Sequence, residues 1–198
     1  MGTIYTNDLI PDMTSNSAPS GTASVSSEYS ATYTAWKAMD DSNLSYWRSS
    51  TPTNEWIEYE FASSIKINKY TMTAYSSSTT NAPNTWTFEG YNGATWDTLD
   101  SQTGITWSGS FEKKEYTFSN TTSYTKYRIN ISTVNGGAYV LLAEIEMMKG
   151  SDNSDTTDTF TEYTGTDEFG VIKTIQNWND GNNYFLSNYN KKALFYHK

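Results

Sequence analysis

The sequence predicts an all-β protein built as an antiparallel sandwich, and three observations carry that prediction. Apolar residues alternate with polar ones in short runs at steady spacing, and turn residues separate the runs. Asn92-Gly93 sits between two such runs, the strongest hairpin signal a short sequence can give. No stretch carries a helical stripe of apolar residues.

In chain order, residues 1 to about 30 read as an extended lead-in, with Ile4, Leu9, Ile10, Met13 and Val25 scattered among Ser, Thr and Pro. Turns fall near Pro11 and Pro19-Ser20-Gly21. Residues 55–61 alternate as a half-buried strand, with Ile57, Tyr59 and Phe61 on one side and Trp56, Glu58 and Glu60 on the other. Residues 65–74 form a second strand, and 84–90 a third with Trp86 and Phe88 inward. The hairpin at 91–96 follows. Residues 115–118 and 124–131 continue the pattern, with Tyr127, Ile129 and Ile131 on one face, and 140–148 closes it. This spacing fits a sandwich over residues 1–149. Residues 150–170, rich in Asp, Ser and Thr with several acids and no base, read as an acidic flexible linker. Residues 171–198 read as a small β-hairpin-like tail with an Asp180-Gly181 turn, too short to fold without a partner surface. The tail is expected to serve assembly or attachment, on the main domain, on its own copies or on another protein.

Composition narrows the function. The chain of 198 residues has no cysteine, so disulfides and thiol chemistry are excluded. A net charge of -9 argues against nucleic acid or an anionic membrane as the main partner. Aromatics are 16% of residues while hydrophobics total only 36%, so Trp and Tyr carry much of the burial and leave some over for a binding surface. No apolar run is long enough to cross a membrane. The N-terminus lacks signal-peptide regions, and its match to the myristoylation pattern at Gly2 and Thr6 has no basic cluster behind it.

Residues 35–47 (AWKAMDDSNLSYW) hold two carboxylates, two serine hydroxyls and several free carbonyls in a short loop, with Ala38, Met39 and Trp47 as apolar anchors. Oxygen-only ligands on a tight loop suit a hard cation such as calcium. The same residues also form metal-free Asp-Ser-Asn turns readily. Far along the chain Glu144 lies inside the apolar run Leu141-Leu142-Ala143-Glu144-Ile145, where an unpaired carboxylate is costly to bury. A cation shared by Asp40 and Glu144 would relieve that cost, which tips the balance toward metal.

Taken together, these segments resemble the discoidin, or coagulation factor V/VIII C-type, domains and the related family 32 carbohydrate-binding modules, over about residues 7–149. The residues that carry the likeness are Ala38-Met39-Asp40-Asp41-Ser42-Asn43-Leu44-Ser45-Tyr46-Trp47, similar to the family's A-x-D-G-x-x-x-T-x-W. Trp56 to Phe61, Pro83 to Gly90, Asn92 to Trp96, Tyr127-Arg128-Ile129 and Ala143-Glu144-Ile145 then follow in the family's order. The resemblance implies an eight-stranded antiparallel jelly-roll β-sandwich of the galactose-binding-domain-like type. It also implies a structural calcium ion on the carbonyls of Lys37, Ser42, Ser45 and Ala143, the Ser45 hydroxyl and the carboxylates of Asp40 and Glu144. Asp41 replaces the usual Gly, and Ser45 replaces Thr with its hydroxyl kept.

Such domains bind ligands on loops at one end of the sandwich, here about 28–34, 47–54, 75–84 and 133–139. Tyr29, Tyr33, Arg48, Tyr75, Asn81, Asn84, Asn135 and Tyr139 are the candidate ligand-binding residues, each weighed against a role as an ordinary loop residue. Family members that bind galactose add His and Arg donors; the lone His here is His197 and residues 75–84 have no Arg, which argues against galactose, leaves other glycans open and favours the structural alternative given below. No catalytic set is present: Glu58 and Glu60, like Glu144 and Glu146, lie two apart on one strand face rather than flanking a bond. The expected function is therefore non-catalytic glycan binding. Composition suggests a phage virion surface, or otherwise an extracellular setting, with other virion proteins or further copies of the chain as partners. The alternatives are a structural virion protein that binds no sugar and an accessory carbohydrate-binding module of a secreted glycosidase.

Overall fold

The computed structural model describes residues 3–75 and 79–150, together with four strands of the tail at Thr161–Thr166, Ile172–Asn179, Asn183–Asn188 and Lys192–His197. The chain divides into two compact units, Gly2–Gly150 and Ser151–Lys198. Gly2 of the lipidation pattern, residues 76–78 of one rim loop, most of the expected linker and the side chains of the tail lie outside the described residues.

The first unit is a sandwich of two antiparallel sheets. Its strands are β1 (Thr22–Val25), β2 (Trp47–Arg48), β3 (Glu55–Ile65), β4 (Lys69–Thr73), β5 (Pro83–Tyr91), β6 (Trp96–Gln102), β7 (Lys113–Thr117), β8 (Tyr124–Val134), β9 (Leu141–Leu142) and β10 (Glu144–Met148). One sheet has the order β1-β3-β8-β5-β6 and the other β10-β4-β7, which makes the eight-stranded jelly roll, while β2 and β9 form a separate short pair. Two 3-10 turns, Ala35–Ala38 and Thr79–Asn81, are the helical elements among the described residues.

Alternation places the core as expected. Ile57 and Tyr59 of β3, Trp86 and Phe88 of β5, and Tyr127, Ile129 and Ile131 of β8 are all buried. Phe61, expected on the same side, is partly buried and packs edge-on against Tyr59 at 4.7 Å. Tyr70 of β4 crosses between sheets and stacks on Phe88 at 4.4 Å with the rings almost parallel. An aromatic core brings hydroxyls inside, and each must find a partner. Tyr59 donates to the Ser20 carbonyl at 2.8 Å, Tyr127 to the Ile65 carbonyl at 2.6 Å and Tyr70 to Asp100 at 2.8 Å.

Several element boundaries differ from the sequence reading. The lead-in contains β1, whose pairing with β3 gives it a strand that its own weak pattern does not announce. Residue 65 ends β3 rather than opening the next strand, since β3 runs past a register shift after Glu60. The chain turns at Asn68, whose N–H donates to the Met148 carbonyl and whose carbonyl accepts the Phe118 N–H. The closing run 140–148 is two strands in different sheets, because the Ala143 N–H turns to the Thr73 carbonyl. In the second unit, β11 (Thr161–Thr166) lies where the acidic composition reads as linker. It pairs with β12 (Ile172–Asn179), and β13 (Asn183–Asn188) and β14 (Lys192–His197) complete a four-stranded antiparallel sheet, while the expected Asp180-Gly181 turn lies outside the described residues. Thr and Tyr in 161–166 favour a strand once a partner edge is offered, which composition alone does not reveal.

Candidate functional site

Two residues of pairing organise the loop end of the sandwich. Trp47 pairs with Leu142 and Arg48 with Leu141. On one side this pairing joins the end of the 40–46 loop to the start of β10, bringing Asp40 close enough that its charge acts on Glu144. On the other side it brings Arg48 to Tyr139.

At the first place, Asp40 is an organised acceptor: its carboxylate receives the Ser45 hydroxyl at 2.5 Å and the Ser42 N–H at 3.2 Å. Ser45 also donates to the Ser42 carbonyl at 3.3 Å. Asp41 adopts φ 53, the left-handed backbone that Gly accepts more readily. Glu144 is buried, and its Oε2 has no hydrogen-bond partner. Burial first, and the Asp40 charge second, push Glu144 up to about 9, against the backbone amides of Asp41 and Ser42, which favour its charged form. Asp40 is also raised, chiefly by burial and against its bond from Ser45. An orphaned buried carboxylate oxygen beside a second carboxylate, with the hydroxyl and carbonyls of Ser42 and Ser45 at hand, is a donor set that fits a hard cation. Lys37 lies close enough to stabilise the charge of Asp40 and rests over Trp36; Ala143 is fully buried next to Glu144. Beside this loop, Asp8, Asp12, Asp41 and Glu146 help line an acidic cavity of about 330 Å³.

At the second place the expected ligand residues separate into two groups. Tyr29, Tyr33, Arg48, Tyr75 and Tyr139 come together. The Tyr29 N–H donates to the Arg48 carbonyl and the Arg48 N–H to the Tyr33 carbonyl, which fixes the three in register. The guanidinium lies 3.6 Å from the Tyr29 ring centre and 3.8 Å from that of Tyr139. From Tyr29 the rings continue to Tyr33 at 6.2 Å, to Tyr46 at 4.9 Å, to Tyr75 at 3.9 Å and to Phe111 at 6.0 Å. Burial, then the hydrogen bond with Tyr33, raises the Tyr46 hydroxyl above its ordinary range, so it stays neutral and can donate.

Asn81, Asn84 and Asn135 hold the loops in place. Asn81 accepts the Ala138 N–H, Asn84 donates to the Ile105 carbonyl and to Asn135, and Asn135 donates to the Ala82 carbonyl. A side chain at Gly137 would run into Asn81, so that turn is kept tight.

Sequence reasoning missed three participants. Tyr46 belongs by sequence to the candidate metal loop, and its ring is the middle of the ridge. Phe111 sits in an irregular loop with no periodicity to mark it; it is 40% exposed and holds φ 56, a strained backbone for a bulky residue. Glu55 is buried and draws in the Ser27 hydroxyl at 2.7 Å, the Thr51 hydroxyl at 2.6 Å, the Thr51 N–H and Ser26, tying two rim loops together. The other acids behave as sheet-face charges: Glu58 and Glu60 face Lys126, and Glu146 faces Lys113.

No family model matches the sequence, and neither does any curated protein. Solved structures do match. The family 32 carbohydrate-binding module of NanJ from Clostridium perfringens, in complex with galactose, matches with TM-score 0.56 and 17% identity, over 65% of this chain and 93% of that one. CpGH89CBM32-5, also from C. perfringens and in complex with GalNAc-β-1,3-galactose, matches with TM-score 0.55 and 20% identity, over 64% and 94%. Chitosan-binding module 2 of a chitosanase/glucanase from Paenibacillus sp. IK-5, in complex with chitotriose, matches with TM-score 0.54 and 22% identity, over 64% and 95%. The first unit thus has the jelly-roll fold of the family 32 carbohydrate-binding modules.

Proposed function

We propose that the first unit is a non-catalytic glycan-binding module whose ligand lies along the Tyr29–Tyr33–Tyr46–Tyr75–Phe111 ridge. The observation that carries this is the continuity of the ridge: five rings in contact, Tyr29 and Phe111 at its ends exposed, on the loop end of a sandwich whose folded neighbours were solved with sugars. Aromatic faces offer a flat apolar platform for the C–H face of a pyranose, and a few polar groups beside them fix the hydroxyls. In this reading calcium is structural. Asp40, Glu144, Ser45 and the carbonyls of Lys37, Ser42 and Ala143 would hold it, and the ion would neutralise the buried carboxylate pair and brace the loop that carries Tyr46.

The setting this favours is a module appended to a carbohydrate-active enzyme, since the similar solved structures include a module of a chitosanase/glucanase and one of a family 31 glycoside hydrolase. The virion setting rests on composition alone. A second reading, a structural domain that binds no sugar, is favoured by the three Asn amides being engaged between loops. A glycan array separates the two. Binding by the parent chain, weakened about tenfold or more in Y29A, Y75A and Y139A, supports the module, a loss in keeping with aromatic anchors of binding sites. Binding that all three substitutions leave intact places the site elsewhere, and a blank array favours the structural reading.

A further inference from the structure

We infer that the ligand of this rim carries a carboxylate, as an acidic sugar of the uronic type does, and that Arg48 receives it; this rests on the glycan-binding reading above. The chain has two arginines, and the structure treats them differently. Arg128 is ion-paired to Glu89 at 2.6 Å, with its guanidinium over Trp96. Arg48 has no ion pair among the described residues, although the chain carries 22 acids against 13 bases and five other cations, Lys69, Lys113, Lys114, Lys126 and Arg128, all have carboxylate partners.

The acids on the neighbouring loops are spent elsewhere. Glu28 accepts the Ala35 N–H, and Glu55 is taken up by Ser26, Ser27 and Thr51. The Arg48 Nε is buried without an acceptor, while the residue as a whole is only half-buried.

Geometry then decides what can approach. Tyr29 and Tyr139 both lie within 4 Å of the guanidinium carbon and make no ring contact with each other, so they cover its two opposite faces. What remains is the in-plane edge, where the N–H donors form a fork that matches the two oxygens of a carboxylate. The stacking also holds the fork in place, so little side-chain freedom is lost when a ligand binds. A positive group clamped flat, unpaired and edge-on at the end of an aromatic ridge is arranged for a planar anion on a sugar ring. Loose pairing with a passing hydroxyl would need none of this restraint.

The test is calorimetric titration of the full chain with uronic-acid oligosaccharides from alginate, with the same oligosaccharides after carboxyl reduction, and with a sulfated neutral oligosaccharide. The parent chain is expected to prefer the acidic form over its reduced counterpart by about tenfold or more, the range of a charge-assisted pair. In R48Q that ratio should fall to about one, and in R48K, which keeps the charge but not the fork, it should recover only in part. Equal affinity of the parent chain for acidic and reduced forms overturns the inference, as does a preference that persists in R48Q or equally tight binding of the sulfated sugar. Should R48Q fail to fold, the parent comparison and R48K still decide. If only neutral glycans bind, this inference falls and the glycan-binding reading stands; if no glycan binds, both fall.

Discussion

Replacing Glu144 with Gln should make the metal-free chain more stable at neutral pH, even though it removes an ionisable group from the heart of a proposed metal site. In the folded chain Glu144 keeps its proton up to about pH 9, against an ordinary value of 4.5, because burial and the Asp40 charge oppose ionisation. Between those two values folding takes up a proton, so stability is full below about pH 4.5 and is lost as pH rises. At pH 7 the accumulated loss is about 3 kcal/mol from this residue, at about 1.4 kcal/mol for each unit of pH. Gln has the shape of the protonated acid and no charge to desolvate, so E144Q avoids that loss. For a domain of this size, 3 kcal/mol corresponds to a Tm rise of about 10 °C. Asp8, which burial pushes up to about 7, contributes in the same direction over its own range, and comparing E144Q with the parent chain cancels it. The assay is a set of melting curves at pH 5, 7 and 8 in chelator and in excess calcium. In chelator the parent chain should melt lower at pH 8 than at pH 5, and E144Q should show a shallower slope. Calcium should raise the Tm of the parent chain most at high pH and leave E144Q unmoved, because a cation that offsets the charge lets Glu144 ionise. A fall in Tm for E144Q in chelator at pH 8 would refute the idea that keeping Glu144 protonated costs stability. No response of the parent chain to calcium would remove the metal from it.

Two further outcomes follow from particular contacts. Phe111 pays for a left-handed backbone with a ring that is largely free of the core, so F111G should raise Tm by a few degrees, from relief of about 1 kcal/mol of strain, while weakening glycan binding; a drop in both would mean that the ring serves packing instead. Phe88 is fully buried between Tyr70 and Tyr127, so F88A should cost about 3–5 kcal/mol, seen in urea unfolding as a lower midpoint with an unchanged slope.

Much of the fold was legible because burial in a sandwich follows a period of two. Ile57, Tyr59, Trp86, Phe88, Tyr127, Ile129 and Ile131 all lie inside, as their alternation requires. The hairpin at Asn92-Gly93 was legible because only certain residues accept its backbone: Gly93 has φ 98, and Asn92 accepts the N–H groups of both Ala94 and Thr95. Elements fixed by a distant partner were not legible. β1 exists through β3, and residue 143 breaks a continuous apolar run because Thr73 claims its N–H. At the rim, sequence could name tyrosines on loops but not their order in space. It could not tell that Asn81, Asn84 and Asn135 point back into the loops, because an amide reads the same whether it faces a ligand or a neighbouring carbonyl. Tyr46 and Phe111 lie outside any periodic run, so contact alone reveals them.

The two candidate sites share one support, and this bears on why an ion that touches no ligand would matter for recognition. Trp47 is fully buried, and its indole N–H donates to the Ser27 carbonyl at 3.0 Å, two residues before Tyr29. Its backbone pairs with Leu142, two residues before Glu144. The preceding residue, Tyr46, stacks between Tyr33 and Tyr75, and the one before that, Ser45, bonds Asp40. The following residue is Arg48. Four consecutive residues therefore run from the carboxylate pair, through the centre of the ring ridge, to the clamped guanidinium. A strand segment of this kind has little freedom to move at one end without moving at the other, since the indole and the β9 pairing fix its middle. A cation held by Asp40 and Glu144, or a change in their protonation, would act on Ser45, and hence on the ring stacked in the middle of the ridge, without any contact between the carboxylates and a sugar. The carboxylate pair and the candidate binding rim are thus two ends of one lever whose fulcrum is Trp47.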